Sequence, residues 1–184
     1  MKEIEERRAI RSYLSQPVEE EKLRHVLASA RLAPTWANRQ CWKIVVVRDQ
    51  AKREQLGLAC NVKGADYYPN RVGESFGTVP IVLVVCADPA KSGHMFGQDY
   101  YLVDVGIVMD HVMLSAREVG LGTCFIGIVD EPKIRELLGI PQGVRVVGMT
   151  PLGYPTSWPG ARPRNGLAEM FCAEEWGQPL PGGS

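Results

Sequence analysis

The residues that most clearly suggest chemistry are three arginines near the start of the chain. Arg7, Arg8 and Arg11 fall within residues 7–11, called here the arginine segment, and on a helix Arg11 would share a face with the other two. Crowded guanidinium groups repel one another unless an anion lies between them, and their donors match phosphate oxygens in pairs. The segment therefore predicts a phosphate site. Taken alone, it is also typical of a solvated basic turn balanced by the three glutamates that precede it.

A second candidate segment combines polar side chains with two tryptophans. Residues 33–42, the tryptophan loop, read Ala-Pro-Thr-Trp-Ala-Asn-Arg-Gln-Cys-Trp and join a predicted helix to a predicted strand. An irregular polar loop with aromatic side chains suits the wall of a site for a planar ligand, because it offers amide groups and an apolar face. The alternative is a plain connector whose tryptophans belong to the core.

Two further segments carry either chemistry or ordinary structure. Residues 120–127, the glycine segment, read Gly-Leu-Gly-Thr-Cys-Phe-Ile-Gly and enter a strand, so the dinucleotide-binding fingerprint does not apply. Its glycines would let the backbone approach a flat ligand closely, although for Gly120 itself we favour a helix C-cap. Arg162 and Arg164 form either a solvated linker or further phosphate donors.

Apolar periodicity predicts the elements that position these segments. The predicted order is helix 18–32, strand 43–48, helix 50–60, strand 80–87, helix 98–119, strand 121–129, helix 131–138, strand 144–152 and a loose tail from residue 153. Strand 80–87 is apolar without alternation, which indicates that both of its faces are covered. Helix 98–119 is apolar almost all round, so we expect it to be central and buried, with one face available to a second subunit. The pattern predicts an α+β fold with a central sheet in one domain, residues 1–184.

Composition excludes several classes of function. The formal net charge is +0, so nothing points to nucleic acid, and the longest apolar run is too short for a membrane span. The five cysteines show no CxxC spacing and the three histidines show no metal-ligand spacing, so we expect no metal and a reduced, cytoplasmic location without a signal peptide. No serine lies in a nucleophile elbow. We therefore name no side chain as a catalytic acid, base or nucleophile.

In their order along the chain these segments resemble the FMN-dependent nitroreductase family, over roughly residues 3–165. The segments that carry the resemblance are Arg7–Tyr13, Pro34–Trp42, Asp104–Gly106, the glycine segment, Leu152–Pro155, and the pair Arg162 and Arg164. The family fold implied is a mostly antiparallel sheet flanked by helices, in a domain-swapped homodimer that pairs through the long helix.

The resemblance also implies a role for each matching residue. Arg7, Arg8, Arg162 and Arg164 would hold the FMN phosphate and ribityl chain, with Ala9 beside them where the family often has serine. Arg11 and Asn61 would reach the pyrimidine end of the flavin. The other subunit would supply Pro34, Thr35, Trp36 and Asn38, and Ile126 and Gly127 would lie against the isoalloxazine, with a backbone N–H near its N5. Trp36 is larger than the usual residue, Cys41 replaces a proline, and little room remains for a substrate lid between Asn61 and Val79.

The function implied is an FMN-dependent oxidoreductase. It would pass electrons from NAD(P)H through bound FMN to a small acceptor such as a nitroaromatic or a quinone, in a ping-pong cycle that needs no protein acid or base. Three alternatives remain open at the level of the sequence. The same scaffold could run enone reduction, reductive dehalogenation or flavin fragmentation, it could bind a flavin or nucleotide without turnover, or the chain could be a structural protein with surface arginines.

Overall fold

The computed structural model describes residues 2–62 and 73–181. In chain order its elements are α1 (Lys2–Glu6), α2 (Glu20–Arg31), β1 (Trp42–Val47), α3 (Gln50–Leu58), β2 (Ile81–Ala87), β3 (His94–Met95), β4 (Gln98–Asp99), α4 (Tyr100–Glu118), β5 (Gly122–Thr123), α5 (Glu131–Leu138), β6 (Arg145–Gly153) and α6 (Leu167–Met170). Most predicted elements are confirmed within two residues at each end, because their apolar periods were long and clear. The stretch between Asn61 and Val79 falls partly outside the described residues.

Strand β2 forms the centre of a four-stranded sheet in the order β1-β2-β6-β5, with every pair antiparallel. All of its side chains are buried. Because strand side chains alternate, Leu83 and Val85 pack with α2 and α4 on one face, whereas Val82 and Val84 pack with α3 and α5 on the other. The prediction of a strand covered on both faces is confirmed, and the helices enclose the sheet as a three-layer sandwich.

Helix α4 is buried on one side only. Val105, Val108 and Val112 are fully buried against the sheet, whereas Leu102 and Val103 are 48% and 52% exposed. The helix is thus buried against the sheet and α2, and its outward face is the one expected to be available to a second subunit. After α4 the chain reverses at Gly120, whose φ is +80°. The amides of Gly120 and Leu121 bond back to the carbonyls of Arg117 and Ala116, at 3.1 and 2.8 Å, which is the C-cap expected for this glycine.

Two segments depart from their local sequence pattern. The arginine segment has a helical spacing but is not helical, since α1 ends at Glu6 and Ala9 forms a parallel bridge with Thr123 at the free edge of β5. Pairing with a distant strand thus replaces the local helical turn. The strand predicted over 121–129 is also shorter, because after Thr123 the Cys124 amide bonds the Thr150 hydroxyl at 3.0 Å instead of continuing the ladder.

The start of the C-terminal tail is paired, and the rest is exposed. The Leu14 amide donates to the Tyr154 carbonyl at 2.9 Å, and the Thr156 amide donates to the Ser12 carbonyl at 3.1 Å. Beyond Pro155 the described residues are almost all exposed, with only the short α6 as regular structure. No helix in the described part of the chain has both the length and the apolar character to cross a membrane.

Gly122 lets the arginine segment lie close to β5. A Cβ on this residue would come 2.7 Å from Cγ1 of Ile10, which is only 2% exposed. We expect Gly122→Ala to lower the free energy of unfolding by about 1–3 kcal/mol, since the buried side chain has little room to move. Urea denaturation measures the change, and Gly160→Ala, where nothing lies within 4 Å, is the control. Equal stability of the two variants would contradict this close packing.

Candidate functional site

The arginine segment crosses the edge of the sheet as extended chain. Ala9 bridges to Thr123, and the Ile10 amide donates to the Thr123 carbonyl at 2.9 Å. Arg7 and Arg11 lie on either side of this bridge in the chain, and both are close enough to Cys124 to influence its thiol. Both act electrostatically on the Cys124 thiol: burial raises the pKa of Cys124, and the charges of Arg11 and Arg7 oppose that rise. The arginine and glycine segments, far apart in sequence, are therefore neighbours.

The positive charge of the arginine segment has no carboxylate partner among the described residues. Arg8 donates through Nη1 to the carbonyl oxygens of Glu5 and Arg7, at 2.7 and 2.8 Å, and its buried Nε has no partner there. Arg11 donates only weakly, to the Ala9 carbonyl at 3.4 Å. The described ion pairs include none of the three arginines, and Glu6 pairs instead with Lys2 and Arg117. The preceding glutamates thus do not neutralise the segment, and the unpaired donors fit an anion such as phosphate.

A small cavity of about 220 Å³ lies beside Arg11. Ala9 and the hydroxyl-bearing residues Ser12, Thr156 and Ser157 contribute to its lining. The pairing of residues 12–14 with residues 154–156 brings these hydroxyl groups together. Sequence reasoning missed Thr156 and Ser157, although both directly follow the Leu152–Pro155 turn. Such a lining can bind the polar chain of a phosphate ester next to a guanidinium group.

The end of the glycine segment exposes its backbone. Ile126 is buried and exchanges both backbone hydrogen bonds with Met149, each at 2.9 Å. Its N–H is therefore occupied and is not free for a ligand. Gly127 is exposed and, with Tyr101 and Leu102, lines a cavity of about 300 Å³. The backbone at Gly127 is thus open to a flat ligand at the N-terminal end of α4.

The tryptophan loop has a strained backbone. Trp36–Asn38 forms one short turn of 3₁₀ helix, and Ala37, Asn38 and Gln40 have φ values of +47°, +54° and +49°. This left-handed region is costly for residues with a Cβ, so surrounding contacts must hold the loop in place. Inside the loop, the Gln40 amide donates to the Thr35 hydroxyl at 3.0 Å.

The buried Asp104 of α4, which is not part of the loop, holds the tryptophan loop in place by hydrogen bonds. Its side chain accepts from the Trp36 amide at 2.7 Å, from the Cys41 thiol at 3.3 Å and from the Ser92 hydroxyl at 3.4 Å. The residue is only 2% exposed. Burial, together with the hydrogen bond to this carboxylate, raises the pKa of Cys41 to about 11. The thiol therefore stays protonated at neutral pH and acts as a donor; sequence reasoning had noted Asp104 in a motif but gave it no role.

The Trp36 ring packs against its own chain. Its centroid lies 6.1 Å from that of Tyr100, and a Cβ on Gly93 would come 2.6 Å from the indole ring. The Arg39 guanidinium lies 5.9 Å from the ring centroid. The bulk of this residue, which departs from the family pattern, is thus accommodated beside Gly93 and Tyr100.

The predicted site residues do not all meet within one chain. The tryptophan loop leads into β1, whereas the arginine segment pairs with β5 at the other edge of the sheet. Three strand spacings separate these edges, or about 14 Å. Pro34 and Asn38 are exposed on the loop, and Thr35 is half-buried.

The remaining predicted residues are all exposed. Asn61 is exposed just after α3, where its amide bonds the Leu58 carbonyl at 3.1 Å. Arg162 and Arg164 are exposed in the tail, and Arg164 donates to the nearby carbonyls of Arg162 and Pro163, at 3.4 and 3.3 Å. Among the described residues, no group of three or more acidic, histidine or cysteine side chains is arranged to hold a metal ion.

Comparison with known proteins assigns the chain to a family. Its structure is similar to that of a nitroreductase family protein from Clostridium novyi NT, with a TM-score of 0.79, 31% identity, and 97% of this chain and 95% of that one covered. It is also similar to an FMN-dependent nitroreductase from Clostridium difficile R20291, with a TM-score of 0.80 and 28% identity. That comparison covers 95% of this chain and 98% of the other. An FMN reductase [NAD(P)H] of Bacillus subtilis is 26% identical over 181 residues, or 89% of this chain and 69% of the relative.

The family model agrees with the geometry. The nitroreductase family model matches residues 4–154, which include the arginine segment, the tryptophan loop, α4 and the glycine segment. The chain belongs to the nitroreductase family.

Proposed function

We propose that this chain is an FMN-dependent oxidoreductase that takes electrons from NAD(P)H and passes them to a small acceptor such as a nitroaromatic or a quinone. The observation that carries the proposal is the arginine segment, whose three guanidinium groups lack a carboxylate partner among the described residues. Two of them, those of Arg7 and Arg11, act electrostatically on Cys124 in the glycine segment. Family membership and the reductases among its relatives support the class of reaction. FMN, when bound, would supply the redox chemistry.

The protein's task is to bind and orient the cofactor. Arg7 and Arg8 would bind the phosphate, because neither forms an ion pair with a carboxylate in the described structure and guanidinium donors match phosphate oxygens. Arg11 places a fixed positive charge toward the pyrimidine end, which favours extra electron density on the ring system. Gly127 offers the isoalloxazine an exposed backbone surface, next to Ile126, which is buried and bonded to Met149. Asn61, Arg162 and Arg164, which are all exposed, would complete the set.

The proposed assembly is a homodimer. The outward face of α4 carries Leu102 and Val103, and the open side of Gly106 has no atom within 4 Å of a Cβ position. An apolar helix face with a glycine lets a second helix approach closely. A second chain would also deliver Pro34, Thr35, Trp36 and Asn38 to an arginine segment that they do not meet in their own chain.

The visible spectrum of the purified protein, before and after NADH, tests the proposed function. We expect an oxidised-flavin spectrum that bleaches on addition of NADH and recovers with an acceptor. Turnover with a nitroaromatic or a quinone, compared with an enone or a halogenated phenol, separates the proposed reaction from the others of the family. A protein that stays colourless with added FMN would contradict the proposal, and a flavin that no acceptor reoxidises would make it a binding module.

Removing arginines should weaken FMN binding. We expect Arg7→Ala and Arg11→Ala each to raise the Kd for FMN by about 10- to 100-fold, the equivalent of one charge-assisted hydrogen bond. Titration followed by flavin fluorescence gives the Kd. The control is Arg31→Ala, an exposed arginine at the end of α2, which should leave the Kd unchanged. If all three variants bind alike, the arginine segment is surface charge.

A charge on the outer face of α4 should prevent association. We expect Val103→Glu to convert the protein from a dimer of 20.3 kDa chains to a monomer, because a buried, unpaired carboxylate is costly at an interface. Sedimentation equilibrium measures the mass. Leu58→Glu, on α3 at the opposite face of the sheet and also exposed, is the matched control. A wild-type protein that sediments as a monomer would exclude the proposed assembly.

A further inference from the structure

We propose that Asp104 is a positioning residue for the flavin site of the partner subunit: its buried carboxylate holds the tryptophan loop in the conformation that completes that site. The inference rests on the proposed function and assigns a role to a residue that does not itself reach the cofactor. Asp104 lies on α4 and is 2% exposed, and its carboxylate accepts a hydrogen bond from the Trp36 amide at 2.7 Å.

The carboxylate is satisfied entirely by neutral donors. A backbone amide, a thiol and a hydroxyl bond it, and the ion pairs of residues 2–62 and 73–181 do not include Asp104. A buried charge without a counter-ion is costly, and apolar side chains would stabilise a helix–sheet interface better. The donors come from both sides of the loop and from the segment before α4. The arrangement thus joins three parts of the chain at one acceptor group.

The loop needs an external restraint. Ala37, Asn38 and Gln40 all have positive φ, and none of them is glycine. Such a backbone persists only where neighbouring contacts over-determine it. The bonds of Asp104 to the Trp36 amide and the Cys41 thiol bracket these three residues on either side. Without the carboxylate, the stretch between them would be free to relax to ordinary backbone angles.

The position of Asp104 on α4 places the tryptophan loop where a second chain would meet it. The Trp36 ring lies 6.1 Å from that of Tyr100, so the loop packs at the same end of α4 as the exposed Leu102 and Val103. The chain's own arginine segment lies elsewhere, because Glu6 pairs with Arg117 at the far end of the helix. From residue 104 to residue 117 the rise of α4 is about 20 Å. Two α4 helices packed antiparallel would bring the loop of one subunit to the arginines of the other.

Variants at Asp104 test the restraint. Asp104→Leu keeps the shape of the side chain but removes both acceptors, and we expect it to raise the Kd for FMN by about tenfold or more. Asp104→Asn retains one oxygen for the Trp36 amide and should stay within about threefold of wild type. Ser115→Ala, a buried polar residue of α4 bonded only within its own helix, is the control and should bind normally. Where the Leu variant does not fold, Asp104→Ala removes the same acceptors.

The apoprotein supplies a readout that does not involve flavin. Arg39 is exposed within the loop, so trypsin can cut there once the backbone is released. We expect cleavage after Arg39 to be several-fold faster in Asp104→Leu than in wild type, and close to wild type in Asp104→Asn. Equal cleavage in all variants would overturn the restraint, whether or not the protein binds FMN.

Mixed dimers test the action across subunits. Two affinity tags select a dimer of one Asp104→Leu chain and one Arg11→Ala chain. If Asp104 acts on the partner's site, one site combines an intact arginine segment with an intact loop and binds FMN with wild-type Kd at half the wild-type stoichiometry. If it acts within its own chain, no site is intact and the inference is overturned. A wild-type dimer without FMN affinity would instead reject the proposed function, and normal FMN binding by Asp104→Leu would reject this inference alone.

Discussion

The burial of β2 on both faces is the constraint on which the rest of the structure depends. A strand of apolar side chains must be covered above and below, and α2 with α4 and α3 with α5 provide the two layers. The layers cover the faces of the sheet, so only its edges remain open to other groups. The arginine segment occupies one edge, and the tryptophan loop leads into the strand at the other. The candidate site residues therefore lie at the edges of the sheet, which the core helices leave uncovered.

Charged groups without an oppositely charged partner in the described structure lie at both edges of the sheet. At the β5 edge, Arg8 and Arg11 donate to backbone carbonyls, and at the β1 edge Asp104 accepts from neutral donors. Other described charges differ among themselves: Arg145 pairs with Glu131 at 2.9 Å, whereas the buried Arg53 donates to the backbone carbonyls of Phe76 and Val79. Under the proposed function, the groups at the two edges have separate tasks: the arginines bind the phosphate, and Asp104 holds the tryptophan loop.

The main elements could be predicted from sequence because their information is local. The apolar run of β2, the long periodic stretch of α4 and the cap at Gly120 are all confirmed within a few residues. The structure departs from the local sequence pattern where residues distant in sequence determine the pairing. The arginine segment has a helical spacing, yet it is drawn into extended chain by Thr123. The strand after Gly120 stops early because a Thr150 hydroxyl replaces the ladder.

The candidate site was predictable in part, for the same reason. The arginines and the glycine segment are recognisable as motifs, and the structure brings them together. The role of Asp104 was not visible, because its partners Trp36 and Ser92 lie far away in sequence. The strain in the tryptophan loop could not be predicted either, since alanine and glutamine are not residues that indicate a positive φ. Folding, not motif spacing, creates these features.

The separation of the tryptophan loop from the arginine segment has a thermodynamic consequence under the proposed assembly. A ligand that needs both groups binds the associated chains more tightly than the separate ones, so ligand binding and chain association become linked equilibria. Cofactor supply would then set the proportion of assembled protein, and dilution would release cofactor. A cell could in this way regulate the amount of competent enzyme through flavin availability, without any dedicated regulatory site.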